Sequence, residues 1–153
     1  MIVFRLVREK FSHSLSGKGA ALRGARWNSA GVELIYTAGN RSLAMAEVAV
    51  HLSLASLPSD YLMMSVRIPD DLEIASLTVG ELPDNWNTFP HPLSTRRIGD
   101  AFVLEAERVV LKIPSAVTPG DFNYLINPKH PDFPRITVES LERFPLDRRL
   151  FKS

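Results

Sequence analysis

One carboxylate, Glu47, lies in a stretch of sequence that is otherwise mostly apolar. The stretch 41–55 predicts a helix, and at about 100° per residue Glu47 falls on an apolar face of it. The opposite face is also apolar, so the whole helix is expected to be buried. A buried carboxylate costs several kcal/mol unless it is paired or hydrogen-bonded. Its apolar neighbours on the same face are Leu43, Val50 and Leu54.

Two interpretations of Glu47 stay open at this point. In the structural one, the carboxylate pairs with Arg26 or Arg41, or contacts His51 one helical turn further on. In the functional one, it is a reactive group whose surroundings perturb its pKa. The residue types and their spacing favour neither interpretation over the other.

The run Gly24-Ala25-Arg26-Trp27-Asn28 is a second candidate for chemistry. An arginine beside glycine can bring its guanidinium and nearby backbone N–H groups to a phosphate or a carboxylate. Trp27 offers either a stacking face or a core side chain. Taken alone, the run is explained more simply by a surface arginine and a core tryptophan.

Tyr36 and Ser115 each stand at the end of a predicted strand. The ring of Tyr36 can stack on a flat or cationic ligand, or it can belong to the core with its hydroxyl hydrogen-bonded. The hydroxyl of Ser115, which follows Pro114, can bind a phosphate or a ribose. From spacing alone, a serine that stabilises a turn is the first interpretation.

Composition excludes several classes of protein. The 153 residues, with 45% apolar and 23% charged side chains, suit one ordered globular domain over 1–153. Cysteine is absent and the four histidines are scattered, so neither thiolate chemistry nor a metal site is expected. The net charge of +1 argues against a nuclease or another dedicated nucleic-acid binder. No apolar stretch reaches the roughly 20 residues of a membrane span, and no signal peptide is recognised. We therefore expect a cytoplasmic protein.

Positive charge is concentrated at the start of the chain. Residues 1–26 hold six basic side chains against the single acid Glu9, a local net charge of +5. Such a region can attract a small anionic ligand. On charge alone, a solvated basic rim is the simpler explanation.

The elements that must position these residues alternate without a regular βαβ order, which favours an α+β fold. A helix over 41–55 is expected to begin at an N-cap Asn40, and a helix over 94–107 at Ser94 or Thr95. Residues 12–28 predict a loop with a short helical turn, and the proline-rich residues 119–134 predict irregular structure. Strands are predicted over 2–7, 33–37, 61–68, 72–77, 108–113 and 136–138.

Several separated motifs together resemble the RES domain, a family named for an arginine, a glutamate and a serine. These three fall here on Arg26, Glu47 and Ser115, in the family's order. The ending Phe144-Pro-Leu-Asp-Arg-Arg-Leu150 is also similar to that of the family. The motifs that carry the resemblance are Gly24-Ala-Arg-Trp-Asn-Ser-Ala-Gly31, Ile35-Tyr-Thr-Ala-Gly39, Leu43-Ala-Met-Ala-Glu-Val48, Ile113-Pro-Ser-Ala-Val117 and Asn123-Tyr-Leu-Ile-Asn-Pro128.

The resemblance implies a fold similar to ADP-ribosyltransferases, with central β-sheets flanked by helices. It also implies a toxin of a type II toxin–antitoxin system that consumes NAD+ without a metal, by hydrolysis or phosphorolysis. The implied partner is an Xre-like helix-turn-helix antitoxin that blocks the site. The pair is expected to form a larger oligomeric complex, which would meet DNA only through the antitoxin.

The resemblance further implies a role for each candidate residue. Glu47 would stabilise the oxocarbenium-like state as the nicotinamide–ribose bond breaks. Arg26 would hold the pyrophosphate or ribose, and Tyr36 would stack on the nicotinamide ring. Ser115 and Asn127 would be supporting donors, with Trp27 lining the pocket. Two other readings stay open, a protein ADP-ribosyltransferase with the same site and a non-enzymatic binding module.

Overall fold

The computed structural model describes residues 1–151, which form seven strands, three α-helices and several short 3-10 turns. The helices are α1 (Lys18–Arg23), α2 (Arg41–Ala49) and α3 (Leu93–Glu105). The strands are β1 (Ile2–Arg8), β2 (Ile35–Ala38), β3 (Tyr61–Arg67), β4 (Ile74–Ser76), β5 (Val110–Pro114), β6 (Phe122–Ile126) and β7 (Thr137–Arg143).

All seven strands join one sheet in the order β4-β5-β6-β2-β1-β3-β7. Only β4 and β5 run parallel, and the other neighbours are antiparallel. The short strand β2 is central, paired with β1 on one side and β6 on the other. The architecture is therefore α+β, as predicted, with the strands in a single mixed sheet.

Helix α2 begins at Asn40, whose side-chain oxygen accepts a hydrogen bond from the Leu43 N–H at 2.8 Å. This confirms the predicted N-cap. Leu43 and Ala44 are buried, and Leu43 packs with Leu6 of β1 in one apolar cluster. The first turns of α2 therefore sit firmly on the sheet, beside β1 and β2.

The predicted extent and burial of this helix are wrong. It ends at Ala49 rather than near residue 55, and Val50 is 60% exposed. Only the Leu43–Ala44 side faces the sheet, so α2 is a surface helix and not a wholly buried one. The apolar residues that follow enter a turn and a 3-10 segment, Leu54–Ser56.

Three other boundaries also differ from the prediction. Strand β6 lies within the proline-rich residues 119–134 that predicted irregular structure, because its five residues lie between the prolines. Helix α3 starts at Leu93 with no side-chain cap, since the Thr95 hydroxyl donates to backbone carbonyls instead. Strand β7 continues to Arg143, although almost all of its residues are exposed.

No helix among residues 1–151 is long and apolar enough to cross a membrane. Within the same residues there is no group of three or more histidine, aspartate or glutamate side chains able to hold a metal ion.

Candidate active site

A cleft of about 210 Å³ opens between β1, β2, α2 and the turn at residues 24–28. It collects four residues that the sequence analysis singled out: Arg26, Trp27, Tyr36 and Glu47. Phe4, Arg5, Leu6, Thr37, Ala38, Ala44, Val48, Ala116 and Asn123 line the rest of it. The cleft is therefore mostly apolar, with one carboxylate and two guanidinium groups.

Glu47 projects from α2 into this cleft and is only partly exposed. Its Oε1 lies 3.5 Å from the Ser115 hydroxyl, a long hydrogen bond. The ion pairs within residues 1–151 do not include Glu47, and Arg41 instead contacts Glu142 at 3.6 Å. The carboxylate is therefore not held in the structural ion pair that was one of the two predictions.

Burial raises the pKa of Glu47 above its ordinary value. The Asn123 side chain, the Arg26 charge and the Ser115 hydroxyl each act in the opposite direction and lower that pKa. The apolar walls thus raise the free energy of the charged form, while the polar neighbours stabilise it. This balance is typical of a carboxylate that acts on a ligand.

The turn at residues 24–28 is built tightly enough to place two neighbouring side chains in the cleft. Gly24 has φ +77°, and a Cβ there would lie 2.8 Å from the Asn28 carbonyl oxygen. Ala25 and Asn28 pair across the turn, which leaves Arg26 and Trp27 at its tip. The fully buried Asn28 amide donates to the carbonyls of Ala20 and Val32, both at 2.9 Å, and so anchors the turn.

Arg26 is bound on one side by the backbone. Its Nη1 donates to the carbonyls of Trp86 and Thr88, each at 2.8 Å. Burial lowers the pKa of Arg26, and the nearby charge of Glu47 partly offsets this. Arg26 is therefore more than a surface arginine: it fastens the loop around residues 86–88 to the cleft. Its other nitrogens are not occupied by these two bonds.

Tyr36 has the hydrogen-bonded hydroxyl predicted for a core tyrosine, and it also lines the cleft. Its hydroxyl accepts from the Trp27 N–H at 2.9 Å and donates to the Asn28 Oδ1 at 2.6 Å. Burial raises the pKa of this phenol. The ring lines the cleft, so the bonded hydroxyl fixes an aromatic face toward any ligand.

Ser115 is buried behind the cleft rather than lining it. Its hydroxyl oxygen accepts from the N–H groups of Val117 and Thr118 at 3.0 Å, as a turn-stabilising serine does. The same hydroxyl can then donate only toward Glu47. Ser115 is therefore a positioning residue for the carboxylate.

Asn127, predicted as a supporting donor, is not among the residues that line the cleft. Asn127 is fully buried, donates to the Val103 carbonyl at 3.2 Å and accepts from the Lys129 N–H at 3.0 Å. It directly follows β6 and lies four residues from Asn123, or about 13 Å in an extended chain. Asn123 is the residue of this strand that reaches the cleft.

Helix α3 supports the turn from outside, a role that the sequence analysis did not foresee. The Thr95 hydroxyl donates to the Arg26 carbonyl at 2.7 Å, and Arg96 Nε donates to the Ala25 carbonyl at 3.2 Å. Asp100 accepts from both the N–H and the hydroxyl of Ser29, at 2.8 and 2.5 Å. Thr95 and Gly99, both buried in α3, are the residues of this helix that could have indicated such a role from the sequence.

Arg5 was noted in the sequence only as part of the basic excess, yet it lines the cleft. Its Nη1 donates to the Ser16 carbonyl at 2.8 Å, and burial lowers its pKa. With Arg26 it provides two guanidinium groups around a cleft that also holds one carboxylate. Such a site can stabilise positive charge at one point of a ligand while binding an anionic group at another.

Comparison with known proteins finds similar sequences and a similar fold. A sequence profile described as "RES domain" matches residues 2–147. A protein of Photorhabdus laumondii named "Toxin Res" is 36% identical, covering 100% of this chain and 99% of the relative. A "Prs ADP-ribosylating toxin" of Sphingobium sp. is 34% identical, covering 90% of this chain and 87% of the relative. The M. tuberculosis MbcT–MbcA toxin–antitoxin complex contains a chain with a similar fold, at a TM-score of 0.75 and 19% identity. That match covers 97% of this chain and 85% of the other.

Proposed function

Because the chain belongs to the RES domain family, we propose that it is the toxin of a toxin–antitoxin system and that it cleaves NAD+ between nicotinamide and ribose. The observation that carries this proposal is the position of Glu47. The carboxylate lies in a mostly apolar cleft with the ring of Tyr36 and two arginines, and no ion pair of residues 1–151 neutralises it.

Cleavage of the nicotinamide–ribose bond passes through a state with positive charge on the ribose. The leaving electron pair neutralises the nicotinamide ring, which departs without a proton. A fixed carboxylate in a low-dielectric cleft stabilises the charge on the ribose, and it can accept a hydrogen bond from the ribose 2-hydroxyl. Glu47 supplies this group, and Ser115 and Asn123 hold it in its charged form.

The other cleft residues match the rest of the substrate. The ring of Tyr36, fixed through its hydroxyl, stacks on the cationic nicotinamide ring before the bond breaks. Arg5 and the free nitrogens of Arg26 bind the diphosphate, as guanidinium groups bind phosphate oxygens. Trp27 closes one wall of the cleft.

The acceptor decides the final product. Water gives ADP-ribose and one proton, whereas inorganic phosphate gives ADP-ribose phosphorylated on the ribose. A second candidate function is transfer of ADP-ribose to a protein, and the specific observation for it is the relative named "Prs ADP-ribosylating toxin". All three reactions use the same bond cleavage at Glu47.

Membership of this family also suggests which partners to expect. We propose an Xre-like helix-turn-helix antitoxin that covers the cleft, an oligomeric complex of the two proteins, and contact with DNA only through the antitoxin. The neighbouring fold in the MbcT–MbcA toxin–antitoxin complex supports an antitoxin partner. We place this activity in the cytoplasm, where NAD+ is available.

The test is nicotinamide release from NAD+, with and without phosphate, by the wild type, Glu47→Gln and Glu105→Gln. Glu105 is an exposed carboxylate on α3 outside the cleft, so its variant is a matched control. The proposal expects release by the wild type and by Glu105→Gln, and loss in Glu47→Gln. Equal release by all three would overturn the role of Glu47. No release, combined with labelling of a protein from labelled NAD+, would favour the second candidate.

A further inference from the structure

A second, larger cavity adjoins the cleft. Its volume is about 600 Å³, and it shares Arg5, Leu6 and Val48 with the cleft. We call it the basic groove, because Arg5, Arg8, Lys10, His13 and Lys18 all line it. The cleft alone is smaller than the 300 Å³ or so at which ligand pockets usually begin, so a dinucleotide must extend beyond it.

Arg5 stands where the two cavities meet. The ion pairs within residues 1–151 do not include it, and its hydrogen-bond partner in the same range is the Ser16 carbonyl. Burying a guanidinium without a carboxylate is costly unless another anion binds it. The position of Arg5 therefore indicates an anionic ligand that passes from the cleft into the groove.

The lining of the groove contains no carboxylate. Arg8 is neutralised by Asp60, at 2.6 Å from its Nε. Lys10 and Lys18 take part in none of the ion pairs found in residues 1–151. Phe11 is 65% exposed on the same wall and offers a flat apolar face, with the Lys10 ammonium 5.1 Å from its ring centroid. Besides Arg5, the groove thus provides two ammonium groups that are in no salt bridge of residues 1–151, together with an exposed aromatic ring.

We infer that the basic groove binds the adenosine diphosphate half of the substrate, and that the enzyme accepts NADP+ as well as NAD+. This inference rests on the proposed function. In Rossmann-fold sites that select NAD+, a carboxylate binds the 2′-hydroxyl of the adenosine ribose, where it would repel a 2′-phosphate. The groove has no carboxylate at its lining and two free ammonium groups instead. An additional phosphate is therefore attracted rather than rejected.

The first experiment compares kcat/KM for nicotinamide release from NAD+, NADP+ and nicotinamide mononucleotide, which lacks the adenosine half. We expect NADP+ to be cleaved at least as efficiently as NAD+. The mononucleotide cannot contact the groove, so its kcat/KM should be about tenfold or more below that of NAD+. A decrease of this size corresponds to the loss of one charge-assisted hydrogen bond. Cleavage of NAD+ but not NADP+ would overturn the inference, and so would equal cleavage of the mononucleotide.

The second experiment uses Lys18→Glu with Lys129→Glu as its control, since Lys129 is exposed and lies in neither cavity. Reversing the charge of Lys18 should raise KM for NADP+ about tenfold and KM for NAD+ less, because the 2′-phosphate adds charge that Lys18 would otherwise attract. Lys129→Glu should leave KM for both dinucleotides unchanged. An identical KM shift for the two dinucleotides would refute the selective part of the inference.

Binding measurements distinguish a failure of the groove inference from a failure of the proposed cleavage reaction. Titration calorimetry with ADP, and with ADP carrying a 2′-phosphate, measures occupation of the groove without bond cleavage. Tighter binding of the 2′-phosphorylated ligand, weakened in Lys18→Glu, would support the groove even if no nicotinamide were released and the proposed reaction failed. Absence of binding by either ligand would overturn the groove, even if the wild type cleaved NAD+.

Discussion

Gly99 sits where α3 crosses the turn that carries Arg26 and Trp27. A Cβ at this position would lie 1.5 Å from the Trp27 carbonyl oxygen and 2.6 Å from its carbonyl carbon. Both obstacles are backbone atoms, so no side-chain rotation can relieve the overlap. Gly99→Ala therefore forces α3 and the turn apart.

The size of the effect follows from this overlap. Cβ atoms essentially never approach within 3.0 Å of such atoms, so α3 or the turn must move by at least 1.5 Å. Adding a methyl group to a packed interior usually costs about 1 to 3 kcal/mol, and a backbone obstacle places this one at the upper end or beyond. For a domain of this size, a loss of about 3 kcal/mol lowers Tm by roughly 6 to 12 °C.

Urea unfolding and nicotinamide release, measured together, test this reasoning. Gly80→Ala is the matched control, because a Cβ there comes no closer than 3.9 Å to another atom, the Thr78 hydroxyl oxygen, and Gly80 lines neither the cleft nor the basic groove. The control should gain about 0.4 to 1 kcal/mol, because alanine restricts the unfolded chain, and should keep its activity. Gly99→Ala should lose stability and activity together, since displaced Thr95 and Asp100 no longer hold the turn. A Gly99→Ala variant as stable and active as the wild type would refute the proposed packing.

Four further outcomes are expected. Burial raises the pKa of Glu47, so kcat/KM should fall on acidification with a midpoint above the ordinary value of 4.5, as a pH–rate profile would measure. Asn123→Ala removes a group that lowers this pKa and should move that midpoint to higher pH; an unchanged profile would exclude Asn123 from the site. The pKa of the Glu47 carboxyl is higher in the folded than in the unfolded chain. Its contribution to the free energy of unfolding is therefore complete below the unfolded-state pKa and is lost as pH rises through the folded-state pKa. Glu47→Gln should therefore have a higher Tm than the wild type at pH 7 and no advantage below pH 4, and a lower Tm at pH 7 would contradict this. Tyr36→Phe leaves the Trp27 N–H and Asn28 without their shared hydroxyl, which should cost about 1 to 3 kcal/mol in urea unfolding; Tyr61→Phe, whose ring lies outside the cleft, is the comparison.

The sequence was a good guide where local chemistry decides the structure. The N-cap at Asn40 and strand β1, predicted over residues 2–7 and found over 2–8, depend on side chains within a few residues. The end of α2 was not, because its apolar residues continue past Ala49 and only packing against the sheet determines which of them are buried. Strand β6 was missed because the prolines around it outweighed the pattern of its own five residues.

The residues of the candidate site also fall into two groups, those recognisable from the local sequence and those placed by strand pairing. Arg26, Tyr36 and Glu47 could be named because their residue types and the RES motifs single them out. Asn123 and Arg5 could not, because they reach the cleft only through the antiparallel pairing of β6 with β2 and of β2 with β1. The same dependence explains why Asn127 does not line the cleft, since it follows β6 at the end opposite to Asn123. Spacing along one strand does not say which end of it meets the cleft.

Arg26 illustrates how support and ligand binding are combined in one side chain. Its Nη1 donates two hydrogen bonds, to the carbonyls of Trp86 and Thr88. The Trp86 ring lies 6.5 Å from the Trp27 ring, measured between centroids. A guanidinium can donate to two carbonyls through one nitrogen and still present three N–H donors on its other two nitrogens. Replacing Arg26 with lysine would keep the charge but leave at most one N–H donor for a ligand, because all three donors of an ammonium are on a single nitrogen and two of them would be needed for the loop. Although Arg26→Lys keeps the positive charge, we therefore expect the loop around residues 86–88 to separate from the cleft.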